Sequence, residues 1–424
     1  MDKETRVVIT GLGVVSPLGI GYPTFWQRLC AGESGVSQIT TLDASDFASP
    51  IAGEVRDFDP GTFMAPKMAR RMDRFAQFAV TAAGEAIADA RLDLAAEDRE
   101  RVGIILNTGG GGIQTLLHAS WNYYSGGVKR VSPLTIPMSI PNMAACHISI
   151  MHDIRGPVLA SVAACAAGVQ AVIDAYHLLR RGEVDVVIAG GSEALMSIAM
   201  IAFGNMGVLS SRSDDPTRAS RPFDRDRDGC VLGEGCGVLV LETEEHAMRR
   251  DARVYCEVAG GALTADAFHI SAPRPGGEGA ASAIRKALAN ASVAPDAVDY
   301  VCAHGTSTEL NDIAETVAIK SALGEAAYRV AISSPKSMIG HLFGGAGAIS
   351  AIVCALAIRD NCIPPTINLD NPGENCDLDY VPNVARQAPV HTAIANAFGF
   401  GGQNAVAVFR RHASGGLPNV AAAS

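Results

Sequence analysis

The sequence predicts a layered α/β fold, and three features lead there. Apolar runs recur along the whole chain, helical stretches separate many of them, and the runs are continuous rather than alternating, as strands buried on both faces require. The composition supplies the means. A chain of 424 residues with 48% hydrophobic and 18% charged content can bury a large core across two or three domain-sized units, with helices covering sheets.

The strand-like runs come in order as RVVITGLGVV (6–15), VGIIL (102–106), PVLASVAA (157–164), VDVVIAGG (184–191) and GVLVLE (237–242). After residue 250 follow VYCEVAGG, VDYVCAHG, RVAISS and AIANAFGFGGQNAVAVF. There is no close sequence repeat, but each half carries one shared device: an apolar strand enters a small-residue turn holding one reactive side chain, and a helix follows. VLASVAACAAG around Cys165 and VDYVCAHGTST around His304 are the two examples. The charged EEHAMRRDAR marks the seam. We therefore expect a pseudo-duplicated architecture: residues 1–250 carrying the cysteine, 251–412 carrying His304 and His341, and a loose tail, ASGGLPNVAAAS, over 413–424.

Bulk properties exclude several classes. A net charge of −10 opposes general nucleic-acid binding, which needs a basic face. The N-terminal apolar stretch is short and broken by glycines, so no signal peptide is expected, and no uninterrupted apolar run reaches the roughly 18 residues of a membrane helix. Ten cysteines without a CxxC pair fit reduced thiols in a cytoplasmic protein. Positive charge is nevertheless concentrated at Lys67, Arg70, Arg71 and Arg74, and again at Lys129 and Arg130. Such a segment is either a solvated helix face or a dock for an acidic partner.

Cys165 sits where the strand pattern ends. Beyond it Val169, Val172, Ile173, Tyr176 and Leu179 fall on one helical face, and Gln170, Asp174, His177 and Arg181 on the other. A cysteine at the positive end of a helix is biased towards thiolate, the nucleophilic form. Taken alone, an alanine-flanked cysteine reads more often as core filler than as a nucleophile. His304 closes a buried run and opens Gly305, Thr306, Ser307 and Thr308, with Asn311 or Asp312 able to cap the next helix. Lys336 and His341 share the glycine-rich SSPKSMIGHLFGGAGA; a lysine that near the core calls for a carboxylate. NAFGFGGQN ends a strand in glycines and phenylalanines, leaving backbone N–H groups free to approach a ligand.

Together ACAAG, ASRPFDRDRDGCVLGEG, AHGTST, SSPKSMIGHLFGGAGA, PPTINLDNP and NAFGFGG resemble the elongating β-ketoacyl-acyl carrier protein synthases, above all synthase II, of the thiolase superfamily. The resemblance runs from VVITGLGVVSPLG to GFGGQNAVAVF, nearly the whole chain, and implies a thiolase-like α-β-α-β-α architecture. It implies an acyltransferase in which Cys165 accepts an acyl chain from the phosphopantetheine of an acyl carrier protein. His304 and His341 then promote decarboxylation of malonyl-carrier protein, and the enolate attacks the thioester. Backbone N–H groups of Cys165 and Phe400 form the oxyanion hole, and the Phe400 ring gates entry. By the same resemblance Lys336 pairs with a carboxylate, here Glu315, while Thr306 and Thr308 hold the pantetheine arm beside Phe398, Gly399 and Gly401. No bound cofactor or metal is implied. Lys67, Arg70, Arg71, Arg74, Lys129, Arg130 and Arg212 become a carrier-protein dock, and a homodimer is expected.

Two departures stand out. Ala163 replaces a common threonine, a packing change, and Gly110 stands where synthase II enzymes often carry isoleucine at the acyl-pocket entrance, which predicts a roomier pocket. Rival readings fit less well. GLGVVS has only the first two glycines of a dinucleotide fingerprint, TGGGG lacks the GK[ST] of a phosphate loop, and no zinc spacing appears. A degradative thiolase uses a second cysteine as base. The non-catalytic chain-length partner of aromatic polyketide synthases lacks the cysteine; the catalytic subunit of such a system, in a heterodimer, stays open as an alternative to fatty-acid elongation.

Overall fold

The structure is a computed structural model describing residues 5–413, so of the expected tail only residue 413 falls within it. Ten strands of its main sheet are β1 (Val7–Ser16), β2 (Val102–Asn107), β3 (Val158–Leu159), β4 (Val186–Glu193), β5 (Gly235–Thr243), β6 (Cys256–Ala265), β7 (Tyr300–Cys302), β8 (Ala331–Ser333), β11 (Thr392–Gly399) and β12 (Gln403–Arg410). A separate ribbon pairs β9 (Cys362–Ile363) with β10 (Arg386–Gln387). The principal helices are α1 (Tyr22–Cys30), α2 (Arg74–Asp89), α3 (Ile113–Gly126), α4 (Ala167–Arg180), α5 (Ser197–Asn205), α6 (Glu278–Asn290), α7 (Glu309–Leu323) and α8 (Ala346–Asp360).

Across the sheet the order is β8-β7-β11-β12-β6-β1-β5-β4-β2-β3, with Gly19–Ile20 as an eleventh strand folded onto β1. This order is a duplication. On one side β3 and β4 flank β2 in parallel and β5 and β1 follow antiparallel. On the other, β8 and β11 flank β7 in parallel, and β12 and β6 follow antiparallel. The halves join where Val7–Ile9 pairs with Cys256–Val258.

Helices sort into three layers by what they bury. α2 packs its alanine-rich face on β1, β2, β4 and β5, and α6 and α7 cover the other half. Between the half-sheets lie α4 and α8, which share one core with strands from both. Such double burial explains why α8 is apolar all round. Phe343–Asp360 is long and apolar enough to cross a membrane, but 89% of that window is buried in this central layer.

The two central helices approach closely because glycines face each other. A Cβ on Gly168 would lie 2.2 Å from the Ala348 nitrogen, and one on Gly347 2.6 Å from the Val169 nitrogen. One expected strand is cut short. Of 157–164 only Val158–Leu159 pairs regularly with β2, because the rest is held by the Asn107 side chain, which accepts from Ser161 N–H and donates to the Ala167 carbonyl.

Candidate active site

Cys165 lies in a single 3₁₀ turn, Ala164–Ala166, immediately ahead of α4. The turn is tight enough to hold Ala164 at φ 46°, in the left-handed region. His341 follows a one-turn helix, Lys336–Ile339, and Gly340 at φ 71°. Its backbone is clamped on both sides, its N–H donating to Val231 and its carbonyl accepting from Gly233. His304 follows β7, and Glu315, projecting from α7, accepts from the N–H groups of both His304 and Gly305.

These three turns converge. His341 Nε2 lies 3.0 Å from Cys165 Sγ, and one donor atom from each of Cys165, His304 and His341 falls within 4.8 Å of the other two. The imidazoles stand edge to face, 5.3 Å between centroids, with Phe343 stacked on His341 and Phe398 beside His304. Both rings are buried, and burial followed by the charge of Lys336 holds them well below the ordinary histidine range, so they are neutral at physiological pH. A neutral imidazole donates one N–H and suits a developing oxyanion.

Cys165 corrects one expectation. Burial pushes its thiol up to about 11, outweighing Lys336 and the N–H groups of Phe400 and Cys165 that point at the sulfur. A helix start alone does not ionise a buried sulfur. The same N–H pair is the expected oxyanion hole, formed because β11 ends at Gly399 and the hairpin to β12 presents the next N–H. A Cβ on Gly399 would lie 3.0 Å from the Ala163 carbonyl and 3.2 Å from the Cys165 nitrogen, so a side chain there would press on the turn that carries the sulfur.

A cavity of about 460 Å³ opens on the sulfur. Its lining includes His304, His341, Thr306, Thr308, Phe398, Gly399 and Phe400, as expected. Thr306 and Thr308 share a 2.9 Å hydroxyl hydrogen bond. The Phe400 ring stacks on Phe203 of α5 at 5.3 Å, and Phe203 in turn meets Phe343 edge-on.

Several expected residues do other work. Lys336 is buried but makes no ion pair with Glu315 among the described residues; Glu315 is occupied by the two N–H groups and by Asn396, and acts on Lys336 at longer range. Gly110 is outside the cavity lining, and a Cβ there would already meet Ile113 Cδ1 at 3.0 Å and Met196 Cε at 3.3 Å. The space left by a branched side chain is filled, so the roomier pocket does not follow. Gly401 is also outside the lining; it takes φ 82° in the hairpin and donates to the Ile270 carbonyl. Asp312 does not cap α7, whose N-cap is Thr308; it turns inward to accept from Thr306 and Phe223 N–H.

The basic residues divide. Lys67, Arg70, Arg71, Lys129 and Arg130 are exposed. Arg74 is committed to the buried Glu234 at 2.7 Å and stacks over Phe78, so it belongs to the scaffold. Arg212 donates to the Asp226 carbonyl and lies 3.9 Å from Asp228, leaving it half free.

Sequence reasoning missed Phe203 and Glu193. The buried Glu193 carboxylate accepts from Thr108 Oγ1 and from the N–H groups of Gly109, Gly110 and Gly344, tying the end of β2 to the turn that carries Phe343. Its glycine partners were visible in NTGGGG and HLFGGAG, but nothing local links them to β4.

Known proteins agree with this geometry. The description "Beta-ketoacyl synthase, N-terminal domain" matches residues 4–247, and "Beta-ketoacyl synthase, C-terminal domain" matches 255–370. A 3-oxoacyl-[acyl-carrier-protein] synthase 2 of Synechocystis sp. is 46% identical over 97% of this chain and 99% of its own length. The Coxiella burnetii protein of the same name is 45% identical with the same coverage. Among solved structures, the ishigamide ketosynthase/chain length factor superposes with TM-score 0.92 at 35% identity, covering 97% of this chain and all of that one. A type II polyketide acyl-carrier protein complexed with its ketosynthase gives 0.90, with the same identity and coverage. With a cysteine and two neutral histidines meeting in one cavity and both domain descriptions matched in order, the chain belongs to the beta-ketoacyl synthase family.

Proposed function

We propose that this chain elongates fatty acyl chains by decarboxylative Claisen condensation on an acyl carrier protein. The carrying observation is the 3.0 Å approach of His341 Nε2 to Cys165 Sγ beneath two inward-pointing N–H groups. In the first step the thioester carbonyl of an acyl-carrier protein enters the Cys165/Phe400 N–H pair. Cys165 gives its proton towards His341 as sulfur attacks, and the proton leaves with the pantetheine thiol. Because the free thiol is held at about 11, ionisation is coupled to attack rather than preceding it.

Malonyl-carrier protein then occupies the emptied pantetheine path past Thr306 and Thr308. Its C–C bond breaks and CO2 departs, and the enolate oxygen is stabilised by an N–H of His304 and by His341 in the tautomer that carries its single proton on Nε2. The enolate carbon attacks the acyl-Cys165 carbonyl, whose oxyanion occupies the N–H pair. Collapse releases 3-oxoacyl-carrier protein, and the Cys165 thiolate takes up a proton. The new C–C bond joins two substrate carbons, one of them held on Cys165, and phosphopantetheine arrives as part of the substrate.

Fatty-acid elongation is favoured over polyketide synthesis because the relatives named synthase 2 are 43–46% identical, against 35% for the type II polyketide complex and for the ishigamide ketosynthase/chain length factor. We place the enzyme in the cytoplasm, as a homodimer served by an acidic carrier protein that meets Lys67, Arg70 and Arg71. Intact-mass analysis tests the chemistry. Wild type should gain the mass of the acyl group from an acyl-carrier protein, and Cys165→Ala should not. Malonyl-carrier protein should then discharge the wild-type adduct with release of CO2. Acyl transfer to Cys165→Ala would defeat the assignment. Activity only after co-expression with a cysteine-lacking homologue would favour the polyketide subunit.

A further inference from the structure

Two thiols far apart in sequence meet at the end of the central layer remote from the catalytic cavity. Cys30 is the last residue of α1, and Cys362 opens β9, two positions beyond the end of α8. Their sulfurs are 3.6 Å apart, in van der Waals contact, whereas a disulfide needs about 2.05 Å. α8 begins just after the turn carrying His341 and runs 15 residues, about 22 Å at roughly 1.5 Å per residue, so the pair is well separated from Cys165.

We propose that Cys30 and Cys362 are a peroxide-sensitive modification site that forms a reversible disulfide between the two halves of the chain. Access comes through Cys30, which is partly exposed beside the buried Cys362, whereas Cys302 and Cys354, another interacting pair, are both buried inside the core. Cys146 is also partly exposed, but among the described residues it has no cysteine partner and instead meets Asn142. Chemistry points the same way: hydrogen bonds from Cys30 and Gln387 hold the Cys362 thiol below its usual range, whereas burial pushes Cys165 up to about 11. Thiolate is the species that peroxide oxidises.

The reaction balances with hydrogen peroxide as oxidant. Cys362 thiolate attacks one peroxide oxygen, the O–O bond breaks, hydroxide leaves, and a sulfenic acid forms. Cys30 sulfur then attacks the sulfenic sulfur and expels hydroxide, and the Cys30 proton converts it to water. Two thiols and one peroxide give one disulfide and two waters, with two electrons passing from sulfur to peroxide. Because the cross-link closes residues 30–362 into one loop, it restricts the unfolded state and should raise the melting temperature.

The reduced full-length protein should be exposed to equimolar hydrogen peroxide, blocked with a maleimide, and digested without reduction. The expected product is a joined peptide pair containing Cys30 and Cys362, about 2 Da lighter than the sum of its thiols and reversed by dithiothreitol. It should form while Cys165 stays unoxidised, with a melting temperature several degrees above the reduced form. Cys30→Ser should abolish the cross-link. Oxidation of Cys165 while Cys30 and Cys362 remain maleimide-labelled overturns the proposal, as does the same mass loss persisting in Cys30→Ser. Should that variant fail to fold, the wild-type peptide map decides alone.

Discussion

At Cys165 two influences compete, and their sizes decide the state of the nucleophile. The helix start, the Lys336 charge and two N–H groups favour thiolate, burial favours thiol, and burial wins by pushing the group up to about 11. Thiolate therefore rises about tenfold per pH unit throughout the neutral range. Alkylation of free Cys165 by iodoacetamide should climb without a plateau between pH 6 and 9; a plateau near 7 would show that the sulfur is already ionised. The histidines carry the opposite sign. Burial holds both well below 6.5, so as pH falls beneath 6.5 the unfolded chain takes up protons that the folded chain refuses. Their contribution to stability is present above that range and is lost as pH falls. Urea unfolding at pH 7 and pH 5 should thus show a smaller drop for His304→Asn/His341→Asn than for wild type, and an equal drop would contradict neutral burial.

At the scale of elements, legibility depended on whether a signal was local. The apolar face of α4, from Val169 to Leu179, was readable from periodicity and is buried as expected. The glycines of GHLFGGAG and GFGG marked turns whose backbone approaches are now explicit. What could not be read was the partner of each polar group. Glu193, Glu315 and Asp312 each bridge turns distant in sequence, and Arg74 looked like surface charge until Glu234 arrived from β5's approach segment. Likewise 157–164 has the composition of a strand, but a side chain of β2 supplies bonds that a ladder would have made. The α4–α8 crossing gives a direct test. Gly168→Ala places a Cβ 2.2 Å from backbone nitrogen, which no rotamer can relieve. Denaturant unfolding should show a loss of about 1–3 kcal/mol, the cost of overpacking a close-packed core. A change below about 0.5 kcal/mol, the range of an ordinary surface substitution, would mean that the helices separate easily.

For the whole molecule, charge and apolar surface point to two different partners. Lys67, Arg70 and Arg71 are exposed on a chain of net charge −10, and among the described residues none has an ion pair. Arg70→Glu/Arg71→Glu should raise the apparent KM for carrier-bound substrate severalfold while leaving a small thioester nearly unaffected, since charge pairs chiefly steer encounter. The apolar surface makes a stronger demand. Ile150 is 72% exposed and Tyr124 85% exposed, and Leu159 projects from β3, the edge strand of the main sheet. The helix Met143–His152, which carries Ile150, packs beside that strand. An edge strand with unpaired backbone groups and apolar side chains beside it invites pairing. A second copy satisfies it symmetrically, edge against edge, since a twofold axis matches a patch with itself. Sedimentation should therefore find a dimer at micromolar protein. Ile150→Arg/Leu159→Arg should shift it to monomer, because the arginines would face each other across the axis. A wild-type monomer with full condensation activity would show that this edge needs no cover, and a monomer that dimerises only with a homologous chain would assign the edge to a heterodimer instead.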